Sequence, residues 1–295
     1  MKNNIKNLIL ASENNQKAFE CWSSFAETAM YTDRYYTEHP LLDRLKDYLD
    51  NNPKIISAGE VYYRVRIINE DAWKDYMMKV CEKEDGDYRR YFSNTNRFKG
   101  LTKEGSFVPP NNSVINEGRA NAKYVKFLYM AENPTTAIFE VRPLWSDRIN
   151  LAEIRVITDL RIADLTYDVL NQPDNMTEFD WLLHYIQVSF SIPTNDADEY
   201  IPSQIIAANI KKWGYDGIRY NSSLHKGGVN LTIFNPEKCE AISSRDMRIS
   251  NFTISAQTLP SSIIDNKLLS IKNNECQFID VDTIIGEAIP TKKDK

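Results

Sequence analysis

The segment from Gly118 to Pro143 places the strongest constraint on how this chain folds. Its sequence, GRANAKYVKFLYMAENPTTAIFEVRP, predicts a loop, a strand over Phe127–Ala131, and then a short helix that opens at Asn133–Pro134. Asn is a favoured N-cap residue and Pro is favoured in the first helical position, so the strand must end where this helix begins. The function that the segment supports depends on whether three of its side chains converge on one pocket: Arg119, Tyr129 and Glu140.

Bulk composition excludes several classes of protein. The 295 residues are 42% hydrophobic and 26% charged, as in an ordinary globular protein, and the net charge of −5 argues against sequence-independent nucleic-acid binding. The N-terminal apolar run is too short for a signal peptide, and no window is long and apolar enough to cross a membrane, so we expect a cytoplasmic protein. The four cysteines lie far apart without a CxxC pair, and only three histidines occur, so we expect neither a disulfide framework nor a metal site.

An early strand carries two arginines. Val61–Ile68, with the sequence VYYRVRII, is rich in β-branched and aromatic residues, and alternation places Arg64 and Arg66 on the same face of the strand. Two arginines facing one way indicate either a solvated sheet face or a lining for an anion site. Both interpretations stay open from the strand pattern alone.

The order of elements predicts an α+β fold. Apolar spacing in residues 1–50 is helical, and later periodic segments alternate between strands and helices without forming an internal repeat. We expect a mixed, split sheet core with flanking helices and an N-terminal helical extension. The predicted divisions are a helical extension over 1–58, a catalytic domain over 59–240, and a C-terminal extension over 241–295 that packs on the core.

Common catalytic motifs are absent. The chain contains no GxGxxG, no GxxxxGK[ST], no GxSxG and no HExxH. Cleavage of a nicotinamide–ribose bond needs none of these. It requires an arginine that forks onto pyrophosphate oxygens, an aromatic ring against the nicotinamide, and a carboxylate that stabilises an oxocarbenium-like transition state. Arg119, Tyr129 and Glu140 supply that set without a metal ion or a general-base histidine.

Seven motifs in register resemble the RES-domain family, which takes its name from an Arg, a Glu and a Ser. Tyr129 follows Arg119 by ten positions and Glu140 follows Tyr129 by eleven, as in that family. The resemblance spans Tyr62 to Phe234. Its motifs are YYRVR (Tyr62–Arg66), GRAN (Gly118–Asn121), LYMAENPTTAIFEVRP (Leu128–Pro143), DLT (Asp164–Thr166), YIPSQ (Tyr200–Gln204), GYDGIRYNSS (Gly214–Ser223) and GVNLTIF (Gly228–Phe234).

The resemblance implies both a fold and an activity. Members of the family share an ADP-ribosyltransferase-like fold, and those studied degrade NAD+ by phosphorolysis or hydrolysis, many as toxins of toxin–antitoxin pairs. By that resemblance NAD+ is the substrate, inorganic phosphate is a co-substrate if the reaction is phosphorolysis, and no resident cofactor is implied. A cognate antitoxin is an implied partner. The extensions at the two ends leave open whether they cover the cleft, replace a partner or form a homo-oligomer interface.

Site residues follow from the resemblance position by position. It implies phosphate contacts from Arg64 and Arg119, a nicotinamide contact from Tyr129, and stabilisation of the ribosyl cation by Glu140. Phosphate or the nicotinamide ribose would be bound by a serine, either Ser222 or its neighbour. The further substrate-binding candidates are Ser223, Tyr220 and Asn230.

Plainer interpretations stand beside each of these roles. Glu140 is also consistent with an acid on a helix surface paired with Arg142, and Tyr129 is also consistent with a core residue. In the same way, Ser222 is consistent with a turn residue and Arg119 with an arginine in a surface loop. At the level of the whole chain, two other functions remain open. One is an ADP-ribosyltransferase that modifies a macromolecule, and the other is an inactive fold kept as a binding or regulatory module.

Overall fold

The computed structural model describes residues 2–35, 37–83, 97–109, 114–167, 176–192, 194, 196–250, 267–272 and 275–280. The chain forms two compact units, Met1–Arg248 and Ile249–Lys295. Much of the predicted C-terminal extension, namely residues 251–266, 273–274 and 281–295, lies outside the described residues. The predicted division into three domains stays a prediction.

Helices and strands alternate along the first unit. Its helices are α1 (Lys2–Glu27), α2 (Pro40–Asn51), α3 (Glu70–Lys83), α4 (Lys103–Ser106), α5 (Pro134–Glu140), α6 (Glu178–Ser191) and α7 (Ile201–Lys212). Its strands are β1 (Lys54–Ile56), β2 (Val61–Ile67), β3 (Leu128–Ala131), β4 (Arg148–Val156), β5 (Leu160–Asp164), β6 (Gly217–Asn221), β7 (Val229–Ile233) and β8 (Cys239–Arg248). The second unit contains an antiparallel pair, β9 (Lys267–Lys272) and β10 (Glu275–Asp280).

One mixed sheet organises the first unit. Its strand order is β1-β5-β6-β7-β3-β2-β4-β8, and β5 and β6 run parallel while the other neighbours are antiparallel. Helices and a mixed sheet in one unit confirm the predicted α+β class. Strand β1 was not predicted, because a strand of three residues with two of them exposed carries no alternation signal.

The two faces of the sheet bury separate cores. On one face the helices α1, α2, α6 and α7 cover side chains such as Ile218 and Tyr220. On the opposite face Ile154, Ile162 and Leu231 pack together, with Phe98 and Phe107 against them. Alternate residues of each strand therefore serve different cores, as the two-residue repeat of a strand requires.

The sheet nearly divides in its middle. Strands β2 and β3 are joined by a single residue pair, Tyr63 with Ala131, whereas β2 pairs with β4 over its whole length. The two strands therefore diverge, and helix α5 packs against both of them. This divergence is the split that the sequence predicts.

A tight corner connects β3 to α5. The Asn133 side chain accepts a hydrogen bond from the Thr136 backbone N–H at 2.8 Å, and Pro134 occupies the first turn. The predicted cap is therefore present, and only two residues, Glu132 and Asn133, lie between the end of β3 and the start of α5. Among the described residues, no helix is both long and apolar enough to span a membrane.

Candidate active site

A cavity of about 250 Å³ opens where β2 and β3 diverge. It is bounded by those two strands, by α5, and by side chains from β6, β7 and the loop before β3. Six of the eight predicted site residues line it: Arg64, Arg119, Tyr129, Glu140, Tyr220 and Asn230. The structure therefore brings together residues that lie up to 166 positions apart in the sequence.

Glu140, the last residue of α5, is fixed by donors from two other elements. Its Oε1 accepts hydrogen bonds from Ser222 Oγ at 2.6 Å and from Asn230 Nδ2 at 2.7 Å. Its Oε2 lies 3.7 Å from Arg119 Nη1. The carboxylate thus has one oxygen with two close donors and a second oxygen that faces an arginine across a wider gap.

The loop that carries Arg119 is held by its main chain. Ser203 Oγ donates to the carbonyl oxygen of Arg119 at 2.6 Å, and Gln204 Nε2 donates to the carbonyl oxygens of Gly118 and Asn121 at 2.8 and 3.1 Å. Ser203 and Gln204 belong to the YIPSQ motif at the start of α7. The motif was recognised in the sequence, but its contact with this loop was not predicted.

Tyr129 completes the same loop with its hydroxyl group. The hydroxyl donates to Asn121 Oδ1 at 2.6 Å and accepts from the Ala120 N–H at 3.2 Å. A Cβ on Gly118 would lie 2.8 Å from Asn121 Oδ1 and 2.9 Å from the Tyr129 hydroxyl, so only glycine fits there. Because its hydroxyl is committed to the loop, Tyr129 offers its ring, and not its hydroxyl, to the cavity.

Burial governs the two tyrosines of the cavity. It raises the pKa of Tyr129, and it also raises the pKa of Tyr220, where the charge of Arg119 acts in the opposite direction. Both phenols therefore stay protonated and neutral across the physiological range.

Arg64 brings an uncompensated cation to the cavity. Its Nε is buried and has no hydrogen-bond partner among the described residues. Burial, with a smaller contribution from the neighbouring charge of Arg66, lowers the pKa of Arg64 to about 9. A buried polar group without a partner calls for an explanation, and an anionic ligand supplies one. Arg66 does not line the cavity.

The two adjacent serines point to different places. Ser222 Oγ donates to Glu140 and accepts from the backbone N–H groups of Leu224 and His225, both at 3.1 Å. Ser223 Oγ donates instead to the carbonyl oxygen of Ser191 at 2.7 Å. Of the two, only Ser222 contacts Glu140.

His225 fastens the β6–β7 hairpin onto α5, a contact that was not predicted. Its Nδ1 lies 2.8 Å from Thr136 Oγ1, and its ring stacks on Phe139 with centroids 5.3 Å apart and planes 2° apart. A Cβ on Gly228 would lie 2.6 Å from Thr136 Oγ1, so glycine is needed at this close approach.

Comparison with known proteins places the chain in a family. The family model described as "RES domain" matches residues 95–255, which is more than half of the chain. The chain belongs to the RES domain family. No curated protein sequence matches it. Among solved structures, the M. tuberculosis MbcT–MbcA toxin–antitoxin complex contains a chain that is 15% identical, with 71% of this chain and 93% of that chain covered and a TM-score of 0.34.

The matched RES region contains most of the cavity residues but not all of them. Arg119, Tyr129, Glu140, Tyr220 and Asn230 lie within residues 95–255, whereas Arg64 on β2 precedes the match. The place of Arg64 in the site therefore rests on the cavity that it lines. The roles of all eight residues stay predictions.

Burial of Tyr129 predicts a stability change at alkaline pH. The unfolded chain loses this phenolic proton near pH 10, while the folded RES domain holds it to higher pH. The free energy of unfolding should therefore fall as the pH rises above about 10, because deprotonation favours the unfolded chain. Urea unfolding between pH 8 and 11 measures this fall.

The matched variant for this measurement is Tyr129→Phe. It should show a shallower alkaline fall, and at pH 8 a free energy of unfolding lower by about 1–3 kcal/mol, because Asn121 Oδ1 and the Ala120 N–H lose their partner. Tyr31→Phe, at an exposed position, is the control and should keep the wild-type slope. Equal slopes in wild type and Tyr129→Phe would contradict the prediction.

Proposed function

We propose that this RES-domain protein cleaves the nicotinamide–ribose bond of NAD+ by phosphorolysis or hydrolysis. The observation that carries the proposal is the convergence of Arg64, Arg119, Tyr129 and Glu140 on one cavity, with Ser222 bonded to the carboxylate. These residues come from four separated stretches of sequence, so plain surface or core roles do not account for their meeting. NAD+ is the proposed substrate, and no resident cofactor enters the proposal.

The proposed reaction develops positive charge on the ribose, which Glu140 is suited to stabilise. The bond between ribose C1′ and the nicotinamide nitrogen breaks with both electrons going to nitrogen, so neutral nicotinamide leaves and positive charge builds on the ribose. An oxygen of phosphate or water then bonds to C1′, and water gives up a proton to solvent. A carboxylate fixed near C1′ stabilises the developing cation more than the ground state, which is the requirement for catalysis.

The two oxygens of Glu140 suit different tasks in this reaction. Oε1 is engaged by Ser222 and Asn230, and these donors hold the side chain in one orientation. Within the part of the chain that the structure describes, the close polar neighbour of Oε2 is Arg119 Nη1 at 3.7 Å, and Oε2 is the oxygen proposed to face the ribosyl cation. Because the carboxylate is already oriented before the substrate binds, no free energy is needed to reorient it during the reaction.

The arginines suit the anionic parts of the substrates. The buried Nε of Arg64 has no hydrogen-bond partner in the described ranges, and Arg119 is only 15% exposed, so an anion between them would meet little competing water. Planar guanidinium groups bind phosphate oxygens in pairs. We assign them the pyrophosphate of NAD+ or the phosphate co-substrate.

Cavity size favours one end of the dinucleotide. Its volume of about 250 Å³ is slightly below the roughly 300–1,000 Å³ of sites for drug-sized ligands. The nicotinamide riboside end therefore suits the cavity, with the rings of Tyr129 and Tyr220 as apolar walls, and the adenosine end extends beyond it.

Family membership supports a biological role as a toxin. Many RES proteins belong to toxin–antitoxin pairs, so we propose that this chain depletes cytoplasmic NAD+ and that a cognate antitoxin restrains it. A homo-oligomer interface stays a prediction from the sequence.

Incubation of the purified protein with NAD+, with and without inorganic phosphate, tests the proposal. Release of nicotinamide that requires phosphate indicates phosphorolysis, and release without phosphate indicates hydrolysis. A third mixture contains radiolabelled NAD+ and cell extract, and label on a macromolecule indicates an ADP-ribosyltransferase instead. Folded protein that gives no nicotinamide in any mixture contradicts the proposal and favours an inactive module.

Glu140→Gln should lower kcat by about 10²–10³-fold or more, because it removes a charge needed chiefly in the transition state. The fold should persist, since the amide keeps the shape of the side chain. Nicotinamide release measures kcat, and expression in cells measures whether growth arrest is lost with it.

The chain offers a closely matched control for this variant. Glu153 on β4 accepts from Ser243 Oγ at 2.6 Å and lies 3.7 Å from Arg245 Nη2, the same contacts that Glu140 makes with Ser222 and Arg119, but it does not line the cavity. Glu153→Gln should keep wild-type kcat. Near-normal turnover in Glu140→Gln, or an equal loss in both variants, would tell against the proposed role.

Substitution of the two serines should affect activity to different extents. Ser222→Ala removes a donor from the Glu140 carboxylate and should lower kcat/KM by about 10- to 100-fold, the usual worth of a hydrogen bond to a charged group. Ser223→Ala removes only a bond to the Ser191 carbonyl and should stay close to wild type. The reverse order would assign the family's serine to Ser223.

A further inference from the structure

Four motif residues that do not line the cavity form a cluster of their own. They are Glu132, Asp164, Thr166 and Arg219, from the MAENP, DLT and GIRYNSS stretches of the sequence. We propose that Arg219 is a positioning residue, whose contacts with Glu132 and Asp164 fix the relative placement of Glu140 and Ser222. This inference rests on the proposed function, and one part of its test does not depend on activity.

Arg219 is held from two sides. Its Nε donates to Glu132 Oε1 at 2.6 Å and its Nη2 to Glu132 Oε2 at 3.3 Å. Its Nη1 donates to Asp164 Oδ2 at 2.9 Å and to Thr166 Oγ1 at 3.0 Å, and Thr166 Oγ1 in turn donates to Asp164 Oδ1 at 2.7 Å. A guanidinium fork suits such an arrangement, and the single ammonium group of lysine does not.

The cluster connects strands that are not neighbours. Arg219 lies on β6 and Asp164 on the adjacent β5, but Glu132 follows β3, which is separated from β6 by β7. The side chains therefore connect β5 and β6 to the end of β3 across the intervening strand β7. Backbone ladders fix only adjacent pairs, so this connection adds a constraint that the ladder lacks.

Arg219 faces away from the cavity. Tyr220 and Asn230 are paired across β6 and β7 and both line the cavity, so alternation turns the side chain of Arg219 to the other face of the sheet. Any effect of Arg219 on the site must pass through the main chain.

The two residues of the Glu140–Ser222 hydrogen bond are each connected to this cluster along the main chain. Glu132 directly precedes Asn133, the N-cap of α5, and Glu140 ends that helix. Arg219 precedes Ser222 by three residues along β6. Holding Glu132 against Arg219 therefore sets the start of α5 relative to the end of β6, and with it the distance from Ser222 to Glu140.

Arg219→Lys tests the proposal against a matched variant. Arg155→Lys alters an arginine that also donates twice to one carboxylate, Glu240 Oε1 at 3.2 and 2.5 Å, but joins only the adjacent strands β4 and β8. Arg219→Lys should lower kcat for nicotinamide release by about 10- to 100-fold with little change in KM, since small misplacements of reacting groups cost this much. Arg155→Lys should keep wild-type kcat.

Coupling to Ser222 distinguishes positioning from general damage. If Arg219 acts through the Ser222–Glu140 contact, adding Ser222→Ala to Arg219→Lys should cost less than Ser222→Ala costs in the wild type. Fully additive losses, or an equal drop in kcat for Arg155→Lys, would overturn the proposal.

Hydrogen exchange gives a readout that needs no activity. Peptides covering residues 133–142 and 220–229 should exchange faster in Arg219→Lys than in Arg155→Lys or wild type. Local acceleration in a protein that never releases nicotinamide would uphold the positioning role and reject the proposed function. Unchanged exchange would reject the positioning role whatever the activity. Where Arg219→Lys does not fold, Glu132→Gln, which keeps an acceptor oxygen for Arg219 Nε, replaces it in both measurements.

Discussion

The single residue pair between β2 and β3 is the constraint on which the site depends. Full pairing of these strands would bring their backbones to the usual separation of about 4.8 Å and leave no room for a ligand between them. Because they diverge after Tyr63 and Ala131, side chains from both strands border a common space. Helix α5 lies against both strands, so the divergence also gives Glu140 its position.

Donors from separate elements convert that space into a polarised site. Ser222, directly after β6, and Asn230 on β7 both donate to one carboxylate oxygen of Glu140 on α5, and β6 and β7 are fixed by their backbone pairing. The loop that carries Arg119 is fixed through its carbonyl groups by Ser203 and Gln204. The carboxylate is therefore oriented mainly by the neutral donors Ser222 and Asn230, and the guanidinium groups of Arg64 and Arg119 keep N–H donors for an anion.

Local chemistry in the sequence predicted part of this arrangement. The Asn133–Pro134 signal located the β3–α5 corner, and the apolar spacing located α6 and α7. The grouping of Arg119, Tyr129 and Glu140 came from the family pattern, since no local rule relates a loop arginine to the end of a helix. The adjacent residues Ser222 and Ser223 are of the same type, and their side chains differ in the direction in which they point. That direction is visible only from their hydrogen bonds to residues far away in the sequence, Glu140 and Ser191.

Long-range pairing accounts for what the sequence did not predict. The contact of Gln204 with the Gly118 carbonyl and of Arg219 with Glu132 join residues more than 80 positions apart. The residues of both pairs lie in motifs that were recognised in the sequence, but the contacts between these motifs were not predicted. Their partners depend on strand order, and strand order depends on the whole sheet, so periodicity within any one segment carries no information about them.

Two clusters of Ser, Glu and Arg in this chain show that residue types and distances do not by themselves define a site. Glu140 and Glu153 each accept from a serine at 2.6 Å and lie 3.7 Å from an arginine. The arginine beside Glu153 is 72% exposed, so water and salt screen that cluster, which borders a hollow of its own on β8, apart from the candidate active site. Around Glu140 the arginine is 15% exposed, a second donor from Asn230 fixes the carboxylate, and Arg64 adds a cation whose Nε is buried. Exclusion of water, which raises the strength of each of these interactions, is the property that separates the candidate active site from its surface counterpart.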